Sequence, residues 1–180
     1  DARGRLVGDM FDGTGFVRGV QRKGFDLTGK RAMVVGTGGV GSAIAASLAA
    51  EKISAISLFD VNTSACEALA QRLVNEYPHI QVNTGSNDPD GHDLVVNATP
   101  MGMNDGDPLP IDVSRLAPET FVGEVVMRTE MTAFLQAAQN RGCQVQLGSD
   151  MLFEQIPVYL EYFGFKTTTA DVLRTVASLG

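Results

Sequence analysis

Residues 31–60 read RAMVVGTGGVGSAIAASLAAEKISAISLFD, and this stretch decides the fold of the chain. A short apolar run at 32–35 is typical of a strand that is buried on both faces. After a glycine-rich turn, the alanine- and leucine-rich run from Ser42 to Glu51 favours a helix. A second apolar run, from Ala55 to Phe59, ends on Asp60. Strand, glycine turn, helix, strand and acid, in that order, predict one βαβ unit.

The turn at 36–41 reads GTGGVG and matches the pattern G-x-G-x-x-G. Gly36 allows a sharp turn off the strand, Gly38 has no Cβ to block a pyrophosphate, and Gly41 allows close packing of the helix. The free N–H groups at the start of that helix attract phosphate. A glycine-rich turn alone fits any α/β protein, but the flanking strands and the acid favour a dinucleotide cofactor.

Asp60 lies 24 residues after Gly36, where a carboxylate accepts hydrogen bonds from the adenosine ribose. The same carboxylate would repel a 2′-phosphate. No arginine or lysine occurs between Asp60 and Gln71 to attract one. The sequence therefore favours NAD over NADP as the cofactor, with NADP as the alternative.

Composition limits the classes of protein to which this chain can belong. Its 180 residues fit one domain, with 44% hydrophobic and 19% charged residues. A net charge of −7 argues against nucleic-acid and anionic-membrane partners. No apolar stretch approaches membrane-spanning length, and residues 1–5 do not read as a signal peptide. Cys66 and Cys143 have no metal-site spacing, so we expect a cytoplasmic protein with reduced thiols and no bound metal.

The remaining pattern predicts further strands near 80–82, 93–97, 120–127 and 144–147, and helices at 64–76, 130–141, 149–163 and 168–179. Ser64 and Glu67 are spaced as a capping box, and Asp12 is placed to cap the N–H of Thr14 or Gly15. We predict one α/β domain over residues 1–180. Its doubly wound, mainly parallel, Rossmann-like sheet carries helices on both faces, and ligands bind at the carboxyl ends of the strands.

Four segments occur in the order found in one enzyme family. They are GDMFDGTGF at 8–16, GTGG at 36–39, NATPMGM at 97–103 and GSDMLFEQ at 148–155. Together they resemble the shikimate/quinate dehydrogenases. The resemblance implies an oxidoreductase that transfers hydride between NAD(P) and a hydroxylated cyclohexene or cyclohexane carboxylate, such as shikimate or quinate. It also implies a role in aromatic amino acid biosynthesis, a small-molecule substrate as partner, and a monomer or homodimer.

The same resemblance implies roles for individual residues. Asp12 corresponds to the catalytic, substrate-binding acid that works beside a lysine, and Gln155 to a residue that hydrogen-bonds a substrate hydroxyl. Structural alternatives remain open: Asp12 as a helix cap, Gln155 as a solvated helix residue, Met151 as core packing, and Asn97 as a partner for backbone groups at a strand end. The implied cofactor-binding residues are Gly36, Gly38, Gly39, Val40, Asp60, Asn97, Ala98, Thr99, Val125, Gly148 and Met151.

The sequence also departs from the family pattern. Residues 124–132 read EVVMRTEMT where the family has D-x-x-Y-x-P-x-x-T, so Met127 replaces a tyrosine near substrate and nicotinamide. With Arg128 beside it, this predicts a shikimate dehydrogenase-like paralogue with a different choice of substrate. We also expect that the family's N-terminal substrate domain, which bears the catalytic lysine, is missing here. These 180 residues should therefore bind NAD(H) and turn over poorly.

Two other functions are compatible with the dinucleotide motif. One is a dinucleotide-binding sensor without catalysis, for which the paired Asp12 and Gln155 would not be expected. The other is a related two-domain dehydrogenase of the methylene-tetrahydrofolate type. The motif that contains Gln155 argues against this second function.

Overall fold

The computed structural model describes residues 4–177, and its centre is a parallel sheet of six strands. Spatial order in the sheet is β3-β2-β1-β4-β5-β6. Every neighbouring pair is parallel. This is the doubly wound order, which confirms the predicted fold class. The strands are β1 Arg31–Val35, β2 Ala55–Phe59, β3 Gln81–Thr84, β4 Leu94–Asn97, β5 Phe121–Glu124 and β6 Gln144–Gln146.

Helices cover both faces of the sheet. Both faces carry apolar side chains, because successive residues of each strand point to opposite sides. In β1, Val34 packs into a core with Phe16 and Ile44, while Met33 packs into a second core with Phe134 on the other face. This two-sided burial explains the uninterrupted apolar runs of the central strands. The helices are α1 Asp12–Arg22, α2 Gly39–Ala50, α3 Thr63–Glu76, α4 Ala133–Asn140, α5 Gly148–Tyr162 and α6 Ala170–Val176.

The starts of the first and third helices differ from the sequence prediction. Asp12 is the first residue of α1 and makes no capping bond, and Gly15 N–H donates instead to the carbonyl of Phe11 at 2.8 Å. The predicted cap at Asp12 is therefore wrong. The predicted capping box of Ser64 and Glu67 is also wrong, because Asn62 caps α3 by accepting from the N–H of Ala65 at 3.1 Å.

Other helix ends follow the sequence more closely. α2 begins at Gly39, three residues before the predicted start at Ser42. Gly142 follows α4, which the sequence placed at 130–141, and its φ of +96° is the left-handed conformation that glycine adopts after a helix end. Thr169 caps α6 through the N–H of Val172. The predicted end of that helix at 179 lies outside the described residues, as do the first three residues of the segment 1–5 that does not read as a signal peptide.

Close packing of α1 against two other helices positions the segment that carries Asp12. A Cβ at Gly13 would overlap the carbonyl of Ala43 in α2. A Cβ at Gly15 would lie 2.6 Å from both Gln155 Cβ and the carbonyl oxygen of Met151 in α5. Only glycine permits these approaches, so α1 is held tightly between α2 and α5.

Candidate active site

The chain order of the sheet reverses between β1 and β4, and this is where doubly wound proteins bind ligands. The turn after β1 and the loop after β4 meet at that edge. Gly36 has a φ of +96°, and a Cβ there would lie 2.7 Å from the carbonyl oxygen of Ala98. Residues 36–41 and 97–103, which lie some 60 positions apart in the sequence, therefore meet at the edge where a doubly wound fold has its ligand crevice.

Gly38 leaves the start of α2 open at this crevice. It is the N-cap residue with φ −65°, and no side chain caps the first turn. A Cβ at Gly38 would have no atom within 4 Å, whereas one at Gly41 would overlap the carbonyl oxygen of Gly36. The packing role of Gly41 is confirmed. Gly38, together with the neighbouring Gly39 and Val40, presents free N–H groups of the kind that bind phosphate.

Asp60 is tied to the glycine turn. Its Oδ2 accepts from the N–H of Thr37 at 2.6 Å and from the Thr37 hydroxyl at 3.0 Å, while Oδ1 accepts from the N–H of Asn62 at 2.8 Å. Partial burial acts to raise the pKa of Asp60, but the bonds from Thr37 and Asn62 outweigh it and hold the pKa below its usual value. Asp60 is therefore ionised and half-buried beside the turn. Sequence reasoning missed the part played by Thr37, whose only signal is its place inside the glycine motif.

Asn97 organises the loop after β4 from within the protein. It is fully buried. Its Oδ1 accepts from the N–H of Thr99 at 3.1 Å and from the Thr99 hydroxyl at 2.6 Å, and its Nδ2 donates to the carbonyl of Met101 at 3.0 Å. Asn97 therefore pairs with backbone groups after the strand end, which is the structural alternative that the sequence left open. Ala98 and Thr99 are partly exposed on the crevice side of this loop.

The segment after β5 and the start of α5 join the same edge. Val125 N–H donates to the carbonyl of Asn97 at 3.2 Å. A Cβ at Gly148 would overlap the carbonyl oxygen of Val126, so α5 begins in contact with this segment. Met151, one turn further along α5, is only 3% exposed and belongs to the core. The fold therefore brings Asn97, Val125 and Gly148 together, and it places Met151 beneath them as packing.

Glu124 is a residue of this edge that sequence reasoning did not single out. It lies opposite Asn97 in the register of β4 and β5 and is 0% exposed. Neither carboxylate oxygen has a hydrogen-bond partner of good geometry. Burial raises the pKa of Glu124 to about 7, although the nearby side chains of Thr132 and Asn97 act to lower it. Its sequence signals were an acid at the end of an apolar strand and its place at the acid of the family pattern D-x-x-Y-x-P-x-x-T.

The packing of α1 on α5 brings the predicted substrate residues to one side of the molecule. Asp12 lies one helical turn before Gly15, which contacts Gln155. Asp12 is half-buried, and Oε1 of Gln155 is buried without a partner. The ring of Phe11 packs on Tyr159 and Tyr162 at centroid distances of 6.2 and 5.2 Å. This packing sets the helical turn that carries Asp12 beside the part of α5 that carries Gln155.

A cavity of about 570 Å³ adjoins the start of α5. Met127 is 46% exposed there, and Arg128 donates to Oδ1 of Asn104 at 3.0 Å. Arg174 binds Oδ1 of Asp150 at 2.7 Å and lies over the ring of Phe153. Asp12 and Gln155 do not line this cavity. The lining residues are Met127, Arg128, Thr129, Glu130, Leu147, Ser149, Phe153, Arg174 and Ala177.

Residues 4–177 contain neither a metal-binding cluster nor a membrane-spanning helix. That part of the chain holds no group of three or more histidine, cysteine, aspartate or glutamate side chains arranged to bind a metal. It also has no helix with the length and apolar character needed to cross a bilayer. Cys66 and Cys143 are free and buried, and burial raises the pKa of both thiols.

Comparison with known proteins identifies the group to which this architecture belongs. No family model matches the chain. A quinate/shikimate dehydrogenase of Shigella flexneri is 34% identical over 164 residues, which cover 84% of this chain and 66% of the relative. A shikimate dehydrogenase (NADP(+)) of Desulforamulus reducens is 32% identical over an alignment 186 residues long, which covers 96% of this chain and 62% of the relative. The chain belongs to the shikimate/quinate dehydrogenase family.

Two solved structures share the fold of this chain. Shikimate 5-dehydrogenase from Listeria monocytogenes, in complex with shikimate and NAD, has a TM-score of 0.85 and 26% identity over 94% of this chain and 63% of that chain. A 5-ketofructose reductase of a Gluconobacter strain, in ligand-free form, has a TM-score of 0.85 and 28% identity over 96% of this chain and 64% of that chain. This member of the shikimate/quinate dehydrogenase family thus spans somewhat less than two thirds of the length of these proteins.

Proposed function

We propose that this chain binds NAD(P) at the crevice between the glycine turn and the loop after β4. We further propose that it serves an oxidoreductase of the shikimate 5-dehydrogenase type. That enzyme would transfer hydride between NAD(P) and a hydroxylated cyclohexene or cyclohexane carboxylate, such as shikimate or quinate. Support comes from family membership and from relatives and neighbours whose names include shikimate, quinate, NAD and NADP.

The observation that carries the cofactor proposal is the open start of α2. Gly38 has space for a ligand where a side chain would stand, and the first N–H groups of α2 have no side-chain cap. An anion at this position is stabilised by those donors and by the helix dipole. The crevice also lies at the reversal of strand order, where doubly wound folds bind dinucleotides.

The proposed cofactor is NAD rather than NADP. Asp60 is ionised beside the glycine turn and repels a 2′-phosphate, while its free lone pairs accept from ribose hydroxyls. Residues 61–71 contain no arginine or lysine to attract a phosphate. Relatives include proteins named for NADP, so the family uses both cofactors.

Asp12 and Gln155 are proposed to act on the substrate. Oxidising a secondary alcohol requires a base for the hydroxyl proton and an acceptor for the hydride. The nicotinamide supplies that acceptor when bound. Asp12, beside the lysine that the resemblance implies, accepts the proton, and Gln155 uses its buried, unpartnered Oε1 to bind a substrate hydroxyl.

A second candidate function is reduction of a ketose. Met127 stands at the cavity by the start of α5 in place of the tyrosine expected of shikimate dehydrogenases. A neighbour of equal structural similarity is named a 5-ketofructose reductase. Loss of one hydroxyl from a site that binds a polyhydroxylated ring changes which substrate hydroxyls can be paired.

Titration calorimetry with NAD+, NADH, NADP+ and NADPH tests the cofactor proposal on the 180-residue chain. NAD(H) binding is expected, and failure of all four to bind would refute it. Turnover is tested on the protein encoded by the whole gene, with shikimate, quinate and 5-ketofructose as alternative substrates. Cofactor binding without turnover of any polyol or keto acid would favour the sensor instead.

A further inference from the structure

Glu124 is a buried acid that the proposed chemistry does not yet use. It ends a central strand and is paired in register with Asn97. Its exposure is 0%, and both carboxylate oxygens lack a hydrogen-bond partner. An ionised carboxylate in such a place is costly unless another group compensates for its charge. We therefore expect the carboxyl group of Glu124 either to be protonated or to lie near a positively charged group.

Within residues 4–177, the two side chains that act on the pKa of Glu124 by hydrogen bonding are both uncharged. Asn97 uses one amide hydrogen on the carbonyl of Met101 at 3.0 Å, which leaves the second free. The hydroxyl oxygen of Thr132 accepts from Leu135 N–H at 3.2 Å, which leaves its own hydrogen free. These two groups lower the pKa of Glu124, but burial outweighs them and raises it to about 7. The carboxyl group therefore gains or loses its charge near neutral pH.

Charged residues on the adjoining segments do not neutralise the acid. The loop after β4 carries Asp105 and Asp107, and the segment after β5 carries Arg128 and Glu130, whereas α4 carries no charged residue. Arg128 is exposed and bonded to Asn104. Across residues 4–177 no ion pair to Glu124 is found, so no protein cation there compensates for the charge of this acid.

Contacts connect Glu124 with the crevice. Asn97 holds the loop whose Ala98 touches Gly36. Val125, the residue after Glu124, donates to the carbonyl of Asn97. Under the proposed function a nicotinamide ring lies along this edge. That ring carries a positive charge in the oxidised cofactor and none in the reduced one, so a buried negative charge nearby distinguishes the two forms.

We propose that Glu124 is a positioning residue whose ionised carboxylate favours binding of the oxidised cofactor over the reduced one. The inference rests on the proposed dinucleotide site. The neutral acid gives no such preference. The ionised acid accepts the spare hydrogens of Asn97 and Thr132, which steadies the loop, and it attracts the cationic ring in surroundings that screen charge weakly.

Calorimetric titration of NAD+ and NADH between about pH 5.5 and 8.5 tests the inference on either side of the expected midpoint. Wild-type affinity for NAD+ should rise about fivefold or more across this range, whereas affinity for NADH should change less. Glu124→Gln should flatten the NAD+ profile and retain NADH binding. Glu119→Gln, which removes an exposed acid before the opposite end of β5, should keep the wild-type profile.

Equal NAD+ profiles for the wild type and Glu124→Gln would overturn the inference while leaving the proposed function intact. Absence of binding by both cofactors at every pH would overturn both. Should Glu124→Gln not fold, NMR titration of the labelled carboxyl carbon of Glu124 in the wild type replaces it. The pH midpoint of this titration should be lower with NAD+ bound than with NADH bound, and identical midpoints would refute the inference.

Discussion

The carboxylate of Asp60 accepts two hydrogen bonds from Thr37, one from the backbone N–H at 2.6 Å and one from the hydroxyl at 3.0 Å. Asp60 directly follows β2, and Thr37 lies inside the glycine turn that follows β1. The acid proposed to select the ribose therefore also holds the turn proposed to bind the pyrophosphate. Changes at Asp60 should affect both parts of the cofactor site.

Asp60→Ala should weaken NAD binding by about tenfold or more, because hydrogen bonds to a charged group contribute roughly 1.5–3 kcal/mol. NADP binding should fall less, since repulsion of the 2′-phosphate is removed. Dissociation constants of both cofactors measure this. Thr37→Val is the control, because it removes the hydroxyl bond but retains the backbone bond. An unchanged ratio of NAD to NADP affinity in Asp60→Ala would show that Asp60 only supports the turn.

Gly38→Ala and Gly41→Ala should separate cofactor binding from folding. A Cβ at Gly38 meets no protein atom within 4 Å, so Gly38→Ala should fold with wild-type stability and lose NAD affinity. A Cβ at Gly41 overlaps the carbonyl of Gly36, so Gly41→Ala should lose about 1–3 kcal/mol of stability. Thermal unfolding and calorimetric titration of both variants measure this. Wild-type NAD affinity in Gly38→Ala would argue against a pyrophosphate at this turn.

Glu124 should make the protein less stable as pH rises. Its pKa is raised from 4.5 to about 7 by folding, so the native state holds a proton that the unfolded state has lost. The contribution of Glu124 to stability, about 3 kcal/mol, is therefore fully present below about pH 4.5, is lost between that pH and 7, and is absent above 7. The melting temperature of Glu124→Gln should show a shallower fall across this range. Parallel curves for the wild type and Glu124→Gln would mean that Glu124 is ionised throughout, and Glu119→Gln serves as the exposed control.

Asp150 should stabilise the junction of α1, α5 and α6. This buried carboxylate binds Lys23 at 3.0 Å and Arg174 at 2.7 Å and accepts from Leu147 N–H at 3.1 Å. Asp150→Ala should cost about 1–3 kcal/mol in urea unfolding, since it leaves Lys23 and Arg174 without a partner while solvent partly screens their charges. Glu154→Ala removes one contact of 3.4 Å to Arg22 and should cost less than about 1 kcal/mol. Equal costs would show that the network is not cooperative.

Local patterns were enough to predict the framework of this protein. The apolar runs of β1 and β2 and the glycine turn between them lie within 30 residues, and their order together favours one βαβ unit. The strand order could be anticipated because crossovers between parallel strands are right-handed and short. Helix starts were less predictable. Asn62 rather than Ser64 caps α3, because several polar residues in a row can all serve as caps.

The sequence by itself determined the doubly wound fold, the glycine turn at the reversal of strand order and the acid beside it. Only the tertiary structure decided which polar groups are buried and what they contact. Asn97 and Glu124 lie 27 positions apart in the sequence, yet parallel pairing sets them side by side. Met151, assigned to the cofactor by resemblance, is part of the core because α5 packs on α1. A sequence specifies the faces of its strands and helices, but desolvation and contact depend on which faces meet.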